Sequence, residues 1–379
     1  MDDEFDDIRF YNDVEIPAVL KRIPKSRWLV RGLRREILPS CPALLEPALD
    51  LIVRNYLSIR LGSIHGIDQF QRKIIGKIVL PWILKHTTNG LSVSGLEYLQ
   101  KDRPYTYISN HRDIVLDSAL LNYVLGSNEL KMAAIAFGDN LMINELVTDI
   151  IRANKSFIVK RNLPFKQRIK GSDKLSRYIW SLHQQGESVW IAQREGRAKD
   201  GDDRTNPSVV KMLYMSQRKG GMSFTHFIRD SGIVPVAASY EKDPCDLLKA
   251  REMHKRATHD GYEKKEVDDL LSIYIGLRGD KGRFHIAFGE PLQAEYKNEQ
   301  EVAKDIDRTI HSICKLWPTN YIAYDELKRV KEYSSMYSNE ERTDFLNRFQ
   351  HEKADIRLKA LAMYAQPVLN KRALDRNRD

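Results

Sequence analysis

The stretch YTYISNHRDIVLDSALLNYVL, residues 105–125, changes character twice. A short apolar run, Tyr105–Ser109, gives way to the polar Asn110-His111-Arg112-Asp113, and an apolar segment with helical character follows. Strand, polar loop and helix are the expectation. The same alternation recurs on either side, with short apolar runs at Leu91–Val93, Met132–Phe137, Ser156–Val159, Val189–Ala192, Ile233–Ser239 and Phe284–Phe288. Strands spaced by helical segments imply an α/β fold, a largely parallel central sheet flanked by helices.

The flanks read differently. Residues 1–90 are expected to be a helical segment, 91–300 the α/β catalytic domain and 301–379 a second, highly charged helical segment ending in the basic Asn370–Asp379 tail. Ala43 to Leu61 is helix-like. Phe70, Ile74, Ile75, Ile78, Val79, Trp82 and Ile83 fall at helical spacing among Arg72, Lys73, Lys77 and Lys85. That basic amphipathic helix would either pack on the catalytic domain or touch an anionic membrane surface. The charged C-terminal segment is open to packing or to a solvated, membrane-facing role.

With 379 residues, 42% of them hydrophobic and 30% charged, the chain can bury a substantial core. Lys+Arg (61) exceed Asp+Glu (52), and the net +9 favours an anionic partner such as a phosphate ester, an acidic headgroup or an acidic carrier protein. No RNA-binding aromatic motif or helix-turn-helix pattern supports nucleic acid. Cys41, Cys245 and Cys314 lie far apart, in neither disulfide nor zinc-ligand spacing, which fits a reducing cytoplasm and no metal. The acidic start, Met1 to Asp7, lacks the positive charge and apolar region of an export signal. The most apolar stretch, Ile74–Leu84, is interrupted by Lys77 and Pro81 and falls short of the roughly 20 residues needed to span a bilayer. A cytoplasmic protein, peripheral on the inner face of the membrane, is therefore expected.

In open α/β sheets, ligands bind beyond the carboxyl ends of the strands. The residues there are Asn110-His111-Arg112-Asp113, Gly138-Asp139-Asn140, Lys160-Arg161-Asn162, Gln193-Arg194-Glu195-Gly196-Arg197-Ala198-Lys199 and Tyr240-Glu241-Lys242. One imidazole, several carboxylates and several cations thus gather at one edge, suited to a phosphorylated substrate acted on by a base. His111 is the natural base because imidazole titrates near neutrality, and Asp113 or Asp117 would orient it. His111-Arg112-Asp113 also opens a protein-kinase catalytic loop. Kinases need an Asn five residues after the Asp, where this chain has Ser118, together with a glycine-rich loop and a D-F-G that do not occur.

Four ordered blocks across residues 90 to 295 resemble the glycerol-3-phosphate and acylglycerol-phosphate acyltransferases, and within them the glycerol-3-phosphate and dihydroxyacetone-phosphate branch. YISNHRDIVLDSALLNYVL is similar to the family's His-to-Asp signature followed by an apolar helix. FIVKRN looks like its phosphate-binding strand, with Lys160 and Arg161 as the paired basic residues. REGRAKDG resembles its Glu-Gly-x-Arg-Ser loop, and GIVPVAASYE the strand carrying a near-invariant Pro, here Pro235. Two spacings depart from the pattern. Five residues separate His111 from Asp117, one more than in the family, and Arg197 directly follows Gly196. A bulged turn would keep Asp117 as the partner; otherwise Asp113 substitutes.

The resemblance implies transfer of a fatty acyl group from a thioester of coenzyme A or acyl carrier protein to a hydroxyl of a phosphorylated glycerol or lysophospholipid, with no cofactor. It implies His111 as base and Asp117 or Asp113 as its partner, with Glu195 positioning the acceptor. Acceptor contacts would come from Arg112, Lys160, Arg161, Gly196, Arg197, Lys199 and Pro235. Backbone N–H groups near Gly138 or Gly196 would meet the oxyanion. Two rival readings keep the fold but change the role, an acyltransferase for an amino-acid lipid and a non-catalytic lipid-binding relative.

Overall fold

The computed structural model describes residues 3–161, 163–259, 261–262 and 266–376. Met1, Asp2, Asn162 and the last three residues of the basic tail lie outside the described residues. The chain divides into two compact units, residues 1–79 with 134–168, and residues 80–133 with 169–379.

All seven apolar runs form strands, β1 Leu91–Ser94, β2 Thr106–Ser109, β3 Ala134–Gly138, β4 Ser156–Val159, β5 Val189–Ala192, β6 Ile233–Tyr240 and β7 Phe284–Phe288. In the larger unit five of them lie in the order β1-β7-β6-β2-β5. β2 runs parallel to both β5 and β6, β1 is parallel to β7, and only the β6–β7 pair is antiparallel. Every residue of β2, β6 and β7 is buried, which is why these strands read as continuous apolar runs rather than alternating ones.

Register decides what reaches the sheet edge. Ser109 at the end of β2 is level with Ala192 at the end of β5, but with Val236 in the middle of β6. Ala237–Tyr240 therefore project past β2 on the side where its polar loop emerges. Pro235 is tolerated in this central strand because the β7 ladder begins one residue later, at Val236 paired with Phe288. Its carbonyl still accepts from Gly289 N at 2.8 Å.

The C-terminal helices belong to the same unit. Ile356, Ala360, Leu361, Met363, Tyr364, Ala365 and Val368 of the helix Ala354–Arg376 pack with Ile322, Ala323, Phe345 and Phe349. The charged residues of this segment cover its outside, while its apolar residues have a packing role.

In the other unit, the helices Ile16–Leu20, Arg27–Ile37 and Glu46–Gly62 precede a π-helical stretch, Phe70–Val79. Its core gathers Ile16, Val19, Leu20, Leu61, Ile64 and Phe70, with Ile74 and Ile75 packed against them. Half of the basic amphipathic pattern is thus spent on packing, whereas Arg72, Lys73 and Lys77 remain exposed. β3 and β4 run parallel in register, Ile135 opposite Ser156 and Gly138 opposite Val159, joined through the helix Glu145–Ala153. That helix is capped by Asn144, which accepts from Val147 N at 3.0 Å. Among the described residues no helix is long and apolar enough to cross a membrane.

Candidate active site

Where β2 ends, the chain is pinned before it turns. The Asn110 side chain, fully buried, exchanges two hydrogen bonds with Ala238 of β6: its amide donates to the Ala238 carbonyl at 3.1 Å and its oxygen accepts from Ala238 N at 2.8 Å. Trp190 of β5 donates to Ser109 Oγ at 3.0 Å and presents its ring to His111 edge-on, with centroids 5.7 Å apart. These contacts leave the His111 ring two residues beyond a rigid strand end.

His111 Nδ1 lies 2.9 Å from Asp117 Oδ2. The same carboxylate oxygen accepts from the backbone N–H of Arg112 at 2.6 Å and of Asp113 at 3.0 Å, while Oδ1 accepts from the Tyr240 hydroxyl at 2.7 Å. The extra residue between His and Asp is absorbed by this turn, whose two amides wrap around the carboxylate. Asp117 also sits in the first turn of the helix Leu116–Ser127, where the helix dipole favours an anion. Burial pushes its carboxyl up, but the bonds from His111, Tyr240 and the Asp113 amide outweigh burial and hold it below the usual range. Burial and the nearby carboxylates of Asp117 and Asp113 push the Tyr240 phenol well above its ordinary value, so it stays a proton donor to Asp117.

Asp113 has a different task. Its Oδ1 accepts from the backbone N–H of Val115 and Leu116, both at 2.9 Å, capping the helix that carries Asp117. Burial first, then the charge of Asp117, raises its pKa. The ring of His111 is thus partnered by Asp117, and Asp113 builds the turn between them.

The second loop is joined to the first by one backbone bond, Ala198 N to the His111 carbonyl at 2.8 Å. Gly196 has φ +73°, a left-handed turn that glycine adopts without strain, and it brings Arg197 round beneath the loop. The Arg197 side chain is 6% exposed. Its nearest carboxylate oxygen, on Asp269, is 3.9 Å from Nη2, and its Nη1 is buried without a hydrogen-bond partner among the described residues. A guanidinium so buried and so weakly satisfied is suited to an anion. Glu195 is exposed.

The other basic residues named from the sequence are engaged elsewhere. Arg112 turns inward to Asp203, Nη2 to Oδ2 2.6 Å, and Lys199 pairs with Glu252. Pro235 is buried inside β6 at the level of Ile108. Lys160 and Arg161 belong to the other unit. There Lys160 pairs with Asp7, while the Arg161 amide donates to Asp139 Oδ1 at 3.2 Å and its guanidinium lies across Gly138.

Three site residues were not legible as such in the sequence. Tyr240 stood just after the apolar run Ile233–Ser239, without a role, and the structure makes it the last residue of β6. Asp203 and Lys249 are brought in by folding alone: the Lys249 ammonium, fully buried, donates to the Arg112 carbonyl at 2.6 Å and pairs with Asp243. Among the described residues no group of three or more His, Cys, Asp or Glu side chains is arranged to hold a metal ion.

Residues 90–239 match the family model described as Acyltransferase. The chain is 25% identical over 308 residues to a glycerol-3-phosphate acyltransferase of Pseudomonas putida, an alignment covering 77% of this chain and 34% of the relative. It is 21% identical over 283 residues to the dihydroxyacetone phosphate acyltransferase of Mus musculus, covering 73% and 39%. The chain spans between a third and two fifths of the length of these curated relatives. A solved structure of a 1-acyl-sn-glycerophosphate acyltransferase from Thermotoga maritima aligns over 75% of this chain and 96% of its own, with 15% identity and a TM-score of 0.42.

Proposed function

We propose that this chain, whose residues 90–239 are an acyltransferase domain, transfers a fatty acyl group from a coenzyme A or acyl-carrier-protein thioester to a hydroxyl of a small phosphorylated glycerol or lysophospholipid. The names of the curated relatives, which specify glycerol-3-phosphate and dihydroxyacetone phosphate, support that acceptor class. Phospholipid synthesis at a membrane surface is the setting that reading entails.

In this mechanism His111 Nε2 takes the proton from the acceptor hydroxyl as its oxygen attacks the thioester carbonyl carbon. The tetrahedral oxyanion collapses, the C–S bond breaks, and the imidazolium returns the proton to the leaving thiolate. Asp117 keeps the other proton on Nδ1 and stabilises the imidazolium, as the carboxylate of a serine-protease triad does. Tyr240 and the amides of Arg112 and Asp113 keep Asp117 ionised and immobile. Arg197 receives the acceptor phosphate, and Glu195 is an acceptor-positioning group on the same loop. No cofactor enters these steps.

The single observation behind this reading is the His111–Asp117 contact of 2.9 Å on a loop bonded to the one that carries the weakly satisfied Arg197. The test is product analysis by mass spectrometry after incubating the purified protein with long-chain acyl thioesters and glycerol-3-phosphate, dihydroxyacetone phosphate or a monoacyl derivative. His111→Ala should retain the thermal transition and lose turnover. Arg197→Ala should raise the KM for the phosphorylated acceptor about 10-fold or more and leave that for the thioester nearly unchanged, the loss of one charge-assisted bond. Full turnover in the His111 variant removes the base; equal effects on both substrates remove the clamp.

A further inference from the structure

The helix Glu266–Arg278 turns large apolar side chains outward. Its outward positions, recurring at helical spacing, are Val267, Leu270, Leu271 and Tyr274, which are 61%, 39%, 45% and 57% exposed, while Ser272 and Gly276 are buried on the opposite side. Four large apolar side chains in one line over about 10 Å of helix are a patch that an isolated soluble surface avoids.

The stripe ends in a cation laid along an aromatic ring. Arg278 donates from Nη1 to the Tyr274 hydroxyl at 2.9 Å, and its guanidinium carbon is 5.4 Å from the centre of that ring. Past the other end, the Tyr262 ring carries Lys255 Nζ at 5.8 Å. Apolar side chains flanked by aromatic rings and cations match the boundary between acyl chains and anionic headgroups. The helix Leu80–Thr87, which packs against this one, adds Trp82, 38% exposed and stacked on His86.

The buried side of the same helix faces the site. Asp269 lies toward Arg197, and Gly276 meets Asp113 so closely that a Cβ there would fall 2.2 Å from Asp113 Oδ2. The acyltransfer loops thus stand directly behind the stripe.

We propose that the outer face of Glu266–Arg278 docks on an anionic lipid surface and brings the candidate active site to it. Docking itself needs only the exposed stripe and its cations, whereas its use in delivering a lipid acceptor or releasing a lipid product rests on the acyltransferase reading above. A protein partner would want a larger and more polar rim than this single row of side chains offers.

The experiment uses the full chain with Cys41→Ser, since Cys245 and Cys314 are buried, and an environment-sensitive fluorophore on Leu270→Cys. Vesicles containing phosphatidylglycerol should shift its emission to the blue and protect it from an aqueous quencher, more strongly than pure phosphatidylcholine vesicles. No shift with either, or a shift only on adding an acidic carrier protein, overturns the proposal. Because the label reads the stripe itself, apolar side chains elsewhere, such as Leu44, do not confuse the result, and no turnover is required. Leu270→Glu/Leu271→Glu should raise the apparent KM for a monoacyl acceptor in vesicles about 10-fold or more and leave turnover of a water-soluble acceptor unchanged. Equal turnover of the vesicle-borne acceptor by both proteins counts against it.

Discussion

Two aspartates four residues apart on one turn are divided by their hydrogen bonds. Asp117 faces the ring and carries four donors; Asp113 faces the helix amides and caps them. Asp117→Asn should therefore lower kcat by about 10³-fold or more, since an amide cannot stabilise the imidazolium or fix the tautomer. Asp113→Ala should cost about 1 kcal/mol of stability through the lost cap, visible in the denaturant midpoint, with kcat much less affected. Tyr240 acts through Asp117. In Tyr240→Phe the carboxylate loses one donor, so its charge is less dispersed and the imidazolium is held more tightly. The acidic limb of the kcat/KM profile should move to higher pH, and an unmoved limb with unchanged kcat would leave Tyr240 a packing residue.

At the scale of elements, the turn before β7 is locked to the helix Leu80–Thr87 by a lysine with no exposure. Lys281 donates from Nζ to Thr87 Oγ1 at 2.9 Å and to the Gly279 carbonyl at 2.8 Å, and its amide donates to the Thr87 carbonyl at 2.8 Å. Burial lowers its pKa to about 8, against the pull of Asp113 and Asp280. In the unfolded chain a lysine titrates near 10.4. Above that pH both states are neutral at this site. As pH falls toward 8 the unfolded chain takes up a proton that the folded lysine resists, so the site's contribution to stability is lost on acidification through this window. Relative to Lys281→Met, the wild type should gain stability from pH 7.5 to 10, measured by chemical denaturation at several pH values. A pH-independent gap would mean that the ammonium stays charged in the fold.

For the molecule as a whole, the C-terminal helix is part of the unit that holds the site. Tyr364, 4% exposed, accepts from Asp243 N at 2.7 Å and donates to Asp246 Oδ2 at 2.9 Å, while its carbonyl accepts from Asn320 at 2.9 Å. Asp243 in turn pairs with Lys249, whose ammonium holds the Arg112 carbonyl next to His111. Tyr364→Ala removes a large buried ring and two hydrogen bonds, and should destabilise the protein by about 3–5 kcal/mol in denaturant unfolding. Retention of the wild-type midpoint would separate this helix from the core.

The α/β class, the seven strands and the His111 loop were determined by the sequence itself, because strands buried on both faces must be continuous apolar runs and a polar loop must interrupt them. Which aspartate meets the imidazole, and that Tyr240 joins it, were decided only by tertiary structure. The choice between Asp113 and Asp117 depends on how two amides wrap one carboxylate, and the reach of Tyr240 on β6 extending past β2. Likewise Arg112, Lys160 and Lys199 looked alike as cations near strand ends, but their carboxylate partners Asp203, Asp7 and Glu252 are remote in sequence. Local pattern fixes where a residue lies along the chain; partners supplied by distant segments fix whether its charge is spent on the fold or left for a ligand.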